Sequence, residues 1–66
     1  MIGRVVAFDA HRGLGTIVGD DGREYPFHCT RIADGSRTIE VGAHVTFEAV
    51  AGHLGRFEAA AIAPAG

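Results

Sequence analysis

Glycine and acidic turn residues recur so closely along this chain that no apolar stretch grows long. There are ten glycines in 66 residues, and they divide the apolar residues into short runs. Residues 2–8 hold Val5 and Val6 and read as a strand. Residues 14–18, 23–30, 43–50 and 56–63 read as four more. Asp9-Ala10-His11-Arg12-Gly13, Gly19-Asp20-Asp21-Gly22 and Gly52-His53-Leu54-Gly55 read as turns. The second is the strongest, because Asp-Gly tolerates the positive φ angles of tight hairpin turns. Residues 31–42, with Asp34-Gly35-Ser36 in their middle, are too long for a hairpin and imply a crossover.

Period-two alternation assigns faces. Tyr25 and Phe27 fall inward on the third strand. Val45, Phe47 and Ala49 share one side of the fourth, and Thr46 and Glu48 the other. Phe57-Glu58-Ala59-Ala60-Ala61 contains good helix formers. It is short, however, and Pro64 ends it, so a strand is expected; alanine does not report its register. Phe57 is expected either to fill the end of the fold or to lie at its surface. Five short strands with close turn signals indicate an all-β barrel or sandwich, and a long third connection suits a partly open Greek-key barrel.

A chain of 66 residues makes one domain and buries only about 60% of its unfolded surface. A hydrophobic fraction of 47% argues against disorder. No apolar run approaches the roughly 18 residues of a membrane span, so no membrane association is expected. Met1-Ile2-Gly3-Arg4 opens no long apolar run, and no secretory leader is expected. The single cysteine, Cys29, forms no internal disulfide and suits a reducing cytoplasm. The formal charge is −2, and all six basic residues are arginines: Arg4, Arg12, Arg23, Arg31, Arg37 and Arg56. Arginine pairs with phosphate and stacks on bases, whereas the net negative charge opposes tight, non-specific nucleic-acid binding.

The order and spacing of these segments resemble the cold-shock domain family over residues 3–62. Gly3-Arg4-Val5-Val6-Ala7-Phe8-Asp9 is similar to the family's opening strand. Arg12-Gly13-Leu14-Gly15-Thr16-Ile17 is similar to its first ribonucleoprotein-type motif, and Tyr25-Pro26-Phe27-His28-Cys29-Thr30 to the end of its second. Ile32, Asp34-Gly35, residues 37–42, Val45-Thr46-Phe47-Glu48 and Glu58-Ala59-Ala60 follow in step. The resemblance implies an all-β, five-stranded antiparallel Greek-key barrel (the OB-fold) over residues 1–66. It also implies binding of single-stranded RNA or DNA by stacking bases on aromatic side chains of strands one to three.

The sequence departs from the family at those stacking positions. Ala7 stands where tryptophan is usual, Leu14 and Thr16 where two phenylalanines are usual, and Pro26 and Cys29 where two further aromatics are. Ser36 occupies an often aromatic loop position, and Val6 replaces a lysine. Gly55-Arg56-Phe57 stands where the family has Gly-Pro. Phe8 and His28 remain of the stacking set. Each lost stack removes roughly 1–3 kcal/mol, so weak binding is expected, and the resemblance implies that it is RNA-chaperone-like.

Phe8, Arg12 and His28 are expected together on one open surface, with Leu14, Thr16 and Arg37 at its edges. Arg12 opens the matched motif; Arg23 reads as a solvated surface residue, and Arg31 and Arg56 are undecided. Leu14, Val6, Val18 and Pro26 are also expected to form an exposed apolar patch. That patch supports the alternative of a protein partner or a homodimer. His28-Cys29 lacks metal-ligand spacing, adjacent strand residues face opposite sides, and no carboxylate pair or phosphate-cradling loop is present. Neither a cofactor nor an enzymatic activity is expected.

Overall fold

The computed structural model describes residues 1–65, His53 by its backbone alone. Five strands form in chain order: β1 (Ile2–Asp9), β2 (Leu14–Gly19), β3 (Glu24–His28), β4 (His44–Ala51) and β5 (Phe57–Pro64). Single 3₁₀ turns occupy Cys29–Arg31 and His53–Gly55. The helix-forming alanines of residues 59–61 are in β5, where sheet pairing and burial override their local preference. The five expected strands are all present, with bounds shifted by one or two residues.

The strands make one antiparallel sheet in the order β3-β2-β1-β4-β5. The crossover from β3 to β4 carries the chain past β2 and β1, as the long third connection implies. The sheet curls so that its ends meet. Ile32 bridges Ile62 in parallel, and the Ala33 N–H donates to the Ile62 carbonyl at 2.8 Å. The result is a barrel-like OB-fold rather than a continuously hydrogen-bonded cylinder. Its core is Val5, Ile17, Tyr25, Phe27, Val45, Phe47, Ala59 and Ile62. Full burial of an aliphatic or aromatic side chain contributes about 1.5–3 kcal/mol, so this small set supplies much of the drive to fold. Tyr25, Phe27 and Phe47 point inward as their alternation requires.

Two irregularities break simple alternation. In β1, Val5 pairs with Ile17 but Ala7 pairs with Thr16, so Val6 is an extra, bulged residue. A one-residue insertion exchanges the faces of everything after it. Ala7 therefore turns outward, and Phe8 turns toward the core side. In the β4–β5 pair, Thr46 opposes Ala63 while Glu48 opposes Ala60. Ala61 is the surplus residue and adopts φ 51°. Beyond this bulge Ala49 is exposed, unlike Val45 and Phe47, with which its alternation aligns it, although its cross-strand partner Ala59 is buried in the core.

Candidate nucleic-acid interface

Residues directly opposite one another in adjacent strands share a face. The register of β1, β2 and β3 therefore sets out three rows on the outer surface: Asp9, Leu14 and His28; Ala7, Thr16 and Pro26; Arg4, Val18 and Glu24. Pro26 has no amide donor and sits in β3, the terminal strand of the sheet, where proline is tolerated. Between the first two rows lies Phe8, Gly15 and Phe27, facing the core.

Gly15 shapes this surface. A Cβ there would lie 2.5 Å from Phe27 Cζ and 2.9 Å from the Ala7 carbonyl oxygen. Its absence lets the Phe27 ring pack flush beneath the sheet, with Phe8 stacked against it at 6.0 Å between centroids and 9° between planes. Phe8 is half-buried and packs on the core. It is not a fully outward platform, because the Val6 bulge reversed its face. One side of the ring nonetheless lines an open depression of about 430 Å³, together with Ala7, Leu14, Thr16 and Pro26.

His28 opposes Leu14 and is exposed. It caps the 3₁₀ turn that follows: its Nδ1 accepts the Thr30 N–H at 3.2 Å and lies 3.0 Å from Thr30 Oγ1. With the Nδ1 lone pair engaged, the neutral ring carries its hydrogen on Nε2 and presents a donor. Cys29 leaves the strand for this turn, so the opposite-face argument from sequence does not apply. Its Sγ lies 3.9 Å from His28 Nδ1. Among the described residues, no group of three or more histidines, cysteines and carboxylates is gathered as a metal site.

Arg37 joins His28, Thr30 and Ser36 around a second depression of about 360 Å³. Alongside, Asp34 Oδ1 accepts the Ser36 N–H at 2.9 Å. Hydrogen bonds from the Ser36 backbone and side chain hold the Asp34 carboxyl below its ordinary pKa. Arg12 lies in the β1–β2 turn, which Asp9 Oδ1 organises by accepting from the His11 and Arg12 N–H groups at 3.0 and 3.3 Å. The Cys29 N–H donates to the Gly13 carbonyl at 2.8 Å and docks that turn against the end of β3. The single surface expected from sequence is thus two adjoining depressions. Phe8, Leu14 and Thr16 line the first, His28 and Arg37 the second. Arg12 is exposed at their margin and lines neither.

The expected apolar patch also divides. Leu14 and Pro26 belong to the first depression, while Val18 lines another with Ile2, Gly3 and Arg4. Sequence reasoning missed a third feature. Thr16 and Pro26 separate the first depression from one of about 520 Å³ that is also lined by Arg23, Glu24, Arg56 and Phe57. The signal in the sequence was an aromatic next to an arginine in a turn, but nothing local places Arg23 beside them.

No helix of the described residues is long and apolar enough to cross a membrane. Cold shock protein 1 of Lactiplantibacillus plantarum is 43% identical to this chain over 47 residues, covering 70% of the chain and 71% of the relative. The family described as the 'Cold-shock' DNA-binding domain matches residues 1–65. A match of that extent, on an OB-fold barrel with the register described above, identifies the chain as a member of the cold-shock domain family, a family of nucleic-acid-binding proteins.

Proposed function

We propose that this protein binds single-stranded nucleic acid weakly, through the outer face of β1–β3, and acts on RNA in the cytoplasm in a chaperone-like, non-catalytic way. The observation that carries this reading is the open depression in which Phe8, Leu14, Thr16 and Pro26 meet, on a fold whose family is described as DNA-binding. An unpaired base laid there contacts one side of the Phe8 ring and the apolar rim. His28 offers an Nε2 donor to a base edge, and Arg12 and Arg37 neutralise phosphates. Stacking contributes roughly 1–3 kcal/mol per base without regard to sequence. With few stacking rings and a net charge of −2, micromolar or weaker affinity is expected. Weak, sequence-tolerant contact suits transient opening of short RNA structures.

The test is a low-salt titration of labelled single-stranded RNA and DNA oligonucleotides, with folding checked by circular dichroism. Saturable binding that weakens about fivefold or more in Phe8→Ala supports the reading. A folded protein that binds neither oligonucleotide at high micromolar concentration removes it.

A second reading rests on Leu14, which is 46% exposed beside Pro26. That apolar rim suits a protein partner or a second copy of the chain. A concentration-dependent rise in mass by light scattering, abolished by Leu14→Asp, supports it. A monomer at all concentrations excludes the homodimer.

A further inference from the structure

We infer that the depression between the start of β3 and the β4–β5 loop is a second nucleotide subsite, in which Phe57 stacks a base and Arg23 and Arg56 hold the flanking phosphates. The inference rests on the proposed single-strand binding and extends its path beyond the β1–β3 face. Phe57 opens β5 opposite Ala51, where both strands have run past the core, and it remains 54% exposed. It is not a member of the hydrophobic core cluster. Arg23 comes from the β2–β3 turn and Arg56 from the β4–β5 loop, yet both line the same depression of about 520 Å³. Two arginines lining the depression with an exposed ring give the pairing that single-strand sites use: a stacking surface with cations along the backbone.

Glu24 also lines the depression. Its charge offsets one arginine and leaves a local balance of +1, against −2 for the whole chain. Thr16 and Pro26 line this depression and the Phe8 depression alike, so one strand can cross the Thr16–Pro26 ridge and engage both rings. The start of β5, before its first core residue Ala59, therefore supplies a stacking ring at the far end of a face that has few of its own.

The experiment titrates labelled oligothymidylates of increasing length against wild-type protein, Phe57→Leu, Phe57→Trp, Arg56→Gln and the control Val41→Ala, which alters an exposed residue on the β3–β4 connection. Phe57→Leu keeps apolar bulk at the strand start and removes only the ring face. It is expected to weaken binding of the longer oligonucleotides about fivefold or more and to leave the shortest unaffected, while Phe57→Trp binds at least as tightly as wild type. Arg56→Gln is expected to reduce the slope of log affinity against log salt by about 0.7, which a purely structural role does not do. Wild-type binding that is unchanged in Phe57→Leu and Arg56→Gln overturns the subsite and leaves the proposed function standing. No binding by the folded wild type overturns both.

Discussion

Phe8 and Phe27 stack 6.0 Å apart and 9° from parallel, from the two strands that flank Gly15 in the sheet register. The pair closes one end of the core and also provides one wall of the Phe8 depression, so packing and binding surface depend on the same two rings. Gly15 permits this by leaving the space that Phe27 occupies.

Gly15→Ala is expected to destabilise the fold by about 1–3 kcal/mol, because a methyl at that site meets the Phe27 ring and the Ala7 carbonyl and neither can move without disturbing the core. For a domain of this size each kcal/mol lowers Tm by about 4–8 °C. Thermal denaturation followed by circular dichroism checks this, and an unchanged Tm contradicts the close packing described.

Leu14→Phe is expected to raise affinity for single-stranded oligonucleotides by about 1 kcal/mol or more, the worth of one added base stack. Leu14 is already exposed and faces the depression, so the larger ring needs no room in the core and stability changes little. Fluorescence anisotropy with the two proteins side by side decides it. Equal affinities mean that this face does not receive bases.

Tyr25 donates its hydroxyl to Asp21 Oδ2 at 2.6 Å. This bond, followed by the Arg23 backbone N–H, holds the Asp21 carboxyl below its ordinary 3.8; the same bond, followed by burial, raises the Tyr25 hydroxyl above its ordinary 10.0. The lowered carboxyl contributes stability at pH values above its ordinary range, and this is lost as pH falls through the folded value. The raised phenol contributes below about 10, and this is lost as pH rises through its folded value. Tyr25→Phe is thus expected to lower Tm at pH 7, with the difference from wild type shrinking at both pH extremes. A difference that stays constant from pH 2 to 7 contradicts the coupling.

Ala61→Gly is expected to stabilise the protein by about 0.5 kcal/mol. Ala61 adopts φ 51° at the β5 bulge and is exposed. Relief of the left-handed strain, roughly 1–2 kcal/mol for a residue with a Cβ, therefore outweighs the extra chain entropy of glycine without loss of packing. Denaturant titration reads the shift in midpoint; a fall in stability contradicts it.

Strands, turns and the main core residues were legible in the sequence because their signals are local. Asp-Gly pairs mark turns, and alternation marks Tyr25, Phe27, Val45 and Phe47 as inward. Bulges have no such signal. Val6 reads like any strand valine and Ala61 like any alanine, yet the Val6 bulge turns Ala7 outward and Phe8 toward the core, and Ala61 shifts the register of β5 against β4. The candidate site was legible only as separate residues: Leu14 and Thr16 reach the depression that Phe8 borders, His28 and Arg37 border another, and Arg12 stays at the margin.

By itself the sequence determined five short strands and their turns, since the period of apolar residues and the chemistry of the turns depend only on neighbours along the chain, and the order of its motifs carried the resemblance to the cold-shock domain family. Tertiary structure alone decided which side chains share a surface. A register shift of one residue moves a side chain through the sheet, and closure of the barrel brings Arg23 to Arg56 and Phe57 across more than thirty residues of sequence. That juxtaposition is a property of the pairing between strands, and no stretch of the chain contains it.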